Sequence, residues 1–178
     1  MAQEKISLKL RWLSNHFGQI GAAVLGALLL MTATELAAAK IIFAGTDWVA
    51  IDFGKRCEAR SAALWARPGT TPYAGFAFDR GSTRQGQFYV HLSKPARAGA
   101  TVIATIGAQP FLLAGTGEWA WSRNAAQQMS MIEAARAGGS MRVDSRDGRG
   151  SRIVDRYGLA AAPTAIDAAA AACAGKTG

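Results

Sequence analysis

The segment Gln87-Phe88-Tyr89-Val90-His91-Leu92 decides how this chain folds. Phe88, Val90 and Leu92 alternate with Gln87, Tyr89 and His91, the two-residue period of a strand with one face buried. Lys94-Pro95 ends it. The same vocabulary extends outward on both sides. Upstream, Trp48 to Phe53 is aromatic and β-branched and stops at Gly54, and Arg56 to Ala62 supplies its hairpin partner. Arg67 to Pro72 is a loop, and Tyr73 to Phe78 is a strand closed by Asp79-Arg80-Gly81. Downstream, Thr101 to Ile106 turns at Gly107 and returns through Phe111 to Leu113, and Trp119 to Trp121 is a short strand. Asn124 caps a helix with Gln127 as reciprocal partner, Met129 and Ile132 on its apolar stripe and Gly138-Gly139 as its stop. Met141 and Val143 then lead into a hairpin around Asp147-Gly148 that returns through Ile153 to Tyr157. Thr164 caps a last helix, with Asp167 at the capping-box position and an alanine run behind it. Roughly eight short strands, two short helices and no βαβ alternation predict a mainly β fold. An antiparallel β-sandwich or a partly closed β-fold is the expected architecture.

The first 39 residues carry a different pattern. Lys5, Lys9 and Arg11 precede the uncharged run Ile20 to Ala33, and Ala37 and Ala39 form an A-x-A site. That layout suits a signal peptide cleaved before Lys40. It also suits a retained anchor. Phe17 to Ala39 has the length of a spanning helix, Ile6, Leu10, Leu13 and Phe17 recur at helical spacing, and Trp12 fits a membrane interface. Both readings predict an N-terminal transmembrane or signal helix within residues 1–39 and an exported domain over 40–178. The N-terminus stays in the cytoplasm and the domain lies in the periplasm, held at the inner membrane by residues 17–39 if the leader is retained.

The chain has a formal charge of +8, and residues 40–178 keep +7 of it. Export argues against nucleic acid as the partner. An anionic surface or a protein partner in the envelope or inner membrane fits better. The densest charge lies in the second hairpin, where Arg142, Arg146, Arg149, Arg152 and Arg156 face only Asp144, Asp147 and Asp155. These five arginines are the candidate partner-binding residues, with a merely solvated hairpin as the alternative.

Catalytic vocabulary is sparse. His91 is the only histidine after the leader, and there is no G-x-S-x-G or Walker loop. Two distant cysteines and one histidine do not make a zinc site, and the acids of Asp144-Ser145-Arg146-Asp147 miss calcium-loop spacing. The expectation is therefore no catalytic residue, no metal and no cofactor. Cys57 and Cys173 are the only cysteines. In an oxidising compartment such a pair joins, and Ile166, Ala170 and Cys173 share the packed stripe of the last helix. A Cys57–Cys173 disulfide is expected, with two buried free thiols as the alternative. Trp119 and Trp121 share one face of their strand and are candidates for a ligand groove, against a core role.

Two local patterns resemble the invasion-associated locus B family of exported alphaproteobacterial proteins. One is Thr46-Asp47-Trp48-Val49 leading to Lys55-Arg56-Cys57, similar to that family's G-D-W…C segment. The other runs from Gly158-Leu159 through Ala165-Ile166-Asp167-Ala168 to Cys173, similar to its closing helix. The chain departs from the family in lacking its extra cysteines and in carrying Thr46 where glycine is expected. The resemblance implies a β-rich periplasmic or envelope-associated domain with no catalytic residues. A non-enzymatic exported interaction protein is the expected function. Its alternatives are a single-pass accessory subunit of an inner-membrane complex and a small-ligand-binding periplasmic domain.

Overall fold

A computed structural model describes residues 39–81 and 84–174. The expected N-terminal helix lies outside them, and among the described residues no helix is long and apolar enough to cross a membrane. The strands are β1 (Lys40–Ala44), β2 (Val49–Asp52), β3 (Arg56–Ala62), β4 (Tyr73–Asp79), β5 (Gln85–His91), β6 (Val102–Ile106), β7 (Gln109–Thr116), β8 (Trp119–Trp121), β9 (Ser140–Arg146) and β10 (Arg152–Gly158). Helix α1 (Ala125–Ala137) joins β8 to β9, and α2 (Ala162–Ala174) follows β10.

The mainly β expectation holds, with antiparallel pairing throughout and two helices. The strands form one open sheet rather than two stacked ones, in the order β1-β2-β3-β4-β5-β8-β7-β6-β9-β10. The reason is the path after β5. The chain lays down β6 at a distance and returns through β7 and β8, so that β8 completes the edge of β5. Each hairpin therefore extends the same sheet instead of starting another. Strand β10 at its far end comes back against the segment that follows β3, where the Leu64 N–H donates to the Arg156 carbonyl at 2.7 Å. Side chains from β3, β5, β6, β9 and β10 accordingly meet in a single core with both helices.

The helices differ from expectation in detail. Asn124 does cap α1, accepting from the Gln127 N–H at 2.9 Å, but Gln127 returns its bond to the Arg123 N–H at 2.6 Å. The buried face of α1 is Met131, Ala134 and Ala135, while Met129 is exposed. Helix α2 starts before Thr164, which lies in its first turn. Its start is held from across the molecule. The Asp47 carboxylate accepts from the Ala160 and Ala161 N–H groups at 3.1 and 3.0 Å. Asp167, expected to cap, instead pairs with Arg136 of α1.

Candidate functional site

The inner face of β3, β4 and β5 is apolar. Trp48 stacks on Phe76, and Phe76 meets Phe88 edge-on. Alternation sends the intervening residues to the outer face, where an aromatic and ionic cluster forms. Glu58 lies there, only 2% exposed. Its carboxylate takes Arg56 Nε at 2.7 Å, the Arg60 guanidinium and the Tyr89 hydroxyl at 2.6 Å. A carboxylate this buried needs such partners to offset desolvation. Tyr89 also accepts from Arg60 Nε at 3.2 Å. Burial, reinforced by the charge of Glu58, pushes the Tyr89 phenol above its usual 10.0. Gly75, opposite Tyr89, makes room for this arrangement, because a Cβ there would stand 2.7 Å from the Tyr89 hydroxyl oxygen.

Trp119 and Trp121 lie on the same outer face, as expected, with Ala120 buried between them. Their rings are 6.2 Å apart and nearly parallel. Tyr73 and His91 extend the row, since Tyr73 stacks on His91 at 5.3 Å and meets Trp119 edge-on at 5.8 Å. Arg60 covers the Tyr73 ring at 4.6 Å. His91 Nδ1 lies 3.3 Å from the Thr71 carbonyl and Nε2 3.6 Å from the Glu118 carboxylate. A cleft of about 130 Å³ runs between Glu58, Arg60, Tyr89 and the two tryptophans. That is well below the roughly 300–1,000 Å³ of enclosed ligand sites, so this face can stack a ring but not engulf a ligand.

The Glu58 cluster was missed in the sequence. Its signal was there: Arg56, Glu58 and Arg60 are spaced two apart on one strand and must share a face.

The charged hairpin is β9 and β10. Met141, Val143, Ser145, Ile153, Asp155 and Tyr157 point inward and are buried. Arg142, Arg146, Arg152 and Arg156 alternate outward and are exposed, as is Arg149 in the turn. Arg142 and Arg152 share Asp144 at 2.5 and 3.1 Å, and Arg146 donates to the Gly150 carbonyl. The tip departs from expectation. The left-handed residue is Gly150, at φ +81°, not Gly148. Asp147 does not project into solvent: it is 7% exposed, accepts from the Arg149 and Ser151 N–H groups and pairs with Lys94 at 3.1 Å. Its hydrogen bond from Lys94, with the two backbone bonds, holds its carboxyl below the usual 3.8. Asp155 is also withdrawn, accepting from the Ser93 N–H at 2.9 Å. Two of the hairpin's three acids thus serve the fold, which leaves the outer surface more basic than the sequence count suggests.

Cys57 of β3 and Cys173 of α2 form a disulfide, with Cα atoms 5.7 Å apart and a sequence separation of 116. Trp48 Nε1 donates to the Gly158 carbonyl at 2.8 Å. With Asp47 capping α2, these contacts join two segments more than 100 residues apart. Among the described residues, no cluster of three or more His, Cys, Asp or Glu could hold a metal ion.

Comparison with protein-family models, with curated proteins and with solved structures finds no match for this chain.

Proposed function

We propose that this chain is a non-enzymatic exported protein of the envelope, similar to the invasion-associated locus B type, that works by docking a partner through its basic hairpin. The observation that carries the proposal is the Cys57–Cys173 disulfide. A bond closing nearly the whole domain persists in an oxidising compartment and is reduced in the cytosol. The outward row of Arg142, Arg146, Arg152 and Arg156 supports docking, because planar guanidinium groups grip carboxylates and phosphates bidentately.

Alkaline phosphatase fused after Gly178 tests export. An active enzyme is expected; a silent one beside a fluorescent cytoplasmic fusion overturns the reading. N-terminal mass then separates cleavage before Lys40 from an anchor over residues 17–39, the form an accessory subunit of an inner-membrane complex would take. Affinity purification of the full chain in mild detergent identifies the protein partner.

One observation favours a second reading, a small-ligand site. The parallel Trp119 and Trp121 rings beside Arg60 and Glu58 offer a stacking platform with polar groups at its edge. A ligand bound there would quench tryptophan emission in wild type and not in Trp119→Ala/Trp121→Ala.

A further inference from the structure

Leu64 and Trp65 contradict ordinary burial. Trp65 is 85% exposed and Leu64 59% exposed, side by side at the start of the loop between β3 and β4. Large apolar side chains left open together mark a contact surface more often than a lone exposed one does. The loop's backbone is tied down. Ala63 N–H donates to the Pro72 carbonyl at 3.0 Å, Leu64 N–H to the Arg156 carbonyl at 2.7 Å, and both the Thr70 N–H and its hydroxyl to the Arg67 carbonyl. The loop that carries the two side chains is therefore braced, with Leu64 at the rim of the cleft beside Trp48 and Trp65 at the rim of the one beside Lys94.

Their surroundings are cationic. Trp65, Arg67, Lys94, Arg152, Val154 and the carboxylate of Asp155 line one cleft of about 230 Å³ along β10, the end strand of the sheet. Val154, 37% exposed, stands between Arg152 and Arg156 on the outward side of β10. Arg67, Arg149 and Arg156 make no ion pair among the described residues. The nearby carboxylates are engaged: Asp155 with the Ser93 N–H, Asp147 with Lys94, Asp144 with Arg142 and Arg152.

We propose that Leu64, Trp65 and the outward arginines of β10 seat the domain on an anionic phospholipid surface. This names the partner within the docking reading above and rests on it. The chemistry divides between the two kinds of residue. An indole is amphipathic and settles at headgroup level, with leucine beside it reaching the acyl boundary. Guanidinium groups around it bind phosphates and add electrostatic attraction to an anionic leaflet. A soluble polyanion would engage the arginines and leave Leu64 and Trp65 in water. A lipid surface satisfies both.

The test uses the full chain in nanodiscs of phosphatidylcholine, alone or with roughly one third phosphatidylglycerol, with acyl-brominated lipid as quencher. The difference between wild type and Trp65→Phe isolates Trp65 emission. Quenching of Trp65 is expected in anionic discs, with a loss of at least about half in the neutral discs and in roughly 0.5 M salt. Arg67→Glu/Arg156→Glu should reproduce that loss. The salt arm uses unaltered protein, so it stands even if the double variant misfolds. Trp65 unquenched in both discs overturns the proposal and leaves the loop to a protein partner. Equal quenching in neutral and anionic discs overturns it too, since the arginines would then contribute nothing. Neither result depends on cellular location, so failure here is distinct from a failed export assay.

Discussion

Strand β10 borders two regions that use their polar groups in opposite ways. At its Gly158 end, the Trp48 indole, the Asp47 carboxylate and the start of α2 consume one another's hydrogen bonds, and the Cys57–Cys173 bond fastens α2 to β3. Along its outward side, Arg152 and Arg156 face solvent beside Trp65. The first region closes the fold. The second offers groups the fold does not need. Mutations should therefore cost stability in the first and binding in the second.

The largest effect should follow loss of the disulfide. Cys173→Ala releases a loop with a sequence separation of 116 from its constraint, an entropy loss worth about 4–5 kcal/mol. Denaturant midpoints should show it, and an unchanged midpoint would move the closure of the domain onto other contacts.

A double-mutant cycle sharpens the same region. A Cβ on Gly158 would stand 2.5 Å from Asp47 Oδ2, so Gly158→Ala should displace the cap of α2. Asp47→Ala and Gly158→Ala should each cost about 1–2 kcal/mol, as for lost helix caps. In the Asp47→Ala background, Gly158→Ala should cost much less. Additive costs would show that the glycine serves something other than the cap.

Two buried tyrosines extend the contrast to the faces of the sheet. The hydroxyl of outward-facing Tyr89 donates a hydrogen bond to Glu58, whereas the hydroxyl of inward-facing Tyr157 has no hydrogen-bond partner among the described residues. Tyr89→Phe should destabilise by about 1–3 kcal/mol, by leaving a buried carboxylate short of a donor. Tyr157→Phe should be neutral or stabilising by up to about 1 kcal/mol. Burial raises both phenols above 10.0, with Glu58 adding to the shift of Tyr89 and Asp155 to that of Tyr157. The folded state thus favours the protonated form. That contribution is complete below pH 10 and is lost as pH rises beyond it, when unfolded tyrosines ionise. Thermal melts across pH 9 to 11 should fall less steeply for Tyr157→Phe than for wild type.

The smallest stability effect belongs to the hairpin. Reversing Arg146, Arg149 and Arg152 together should shift stability by no more than about 1 kcal/mol, because exposed ion pairs contribute little. Retention of anionic partners should drop, most at low salt. Full retention would reduce the hairpin to a solvated turn.

Local periodicity reached far in this chain. Alternation in Gln87 to Leu92 and in Ser140 to Arg146 assigned strands, and it sent the arginines outward and Met141 and Val143 inward, as the burial pattern bears out. Helical spacing turned Cys173 inward, and the disulfide follows that placement. These properties depend on neighbours within a few residues, so the order of residues alone determines them. Others depend on residues that meet only after folding. The pairing of β8 with β5 makes one open sheet where a sandwich or a partly closed β-fold is expected. Asp47 caps a helix 113 residues away, displacing Thr164 from that role. Asp147 and Asp155 become scaffold rather than surface charge because Lys94 and the Ser93 N–H reach them from another loop. Trp65 sits in an apolar stretch that suggests burial, yet the bond from Leu64 N–H to Arg156 holds the loop's start against β10 with the indole outside. A hydrogen bond or desolvation cost has no partner until the chain closes, and the tertiary structure alone selects which partner that is.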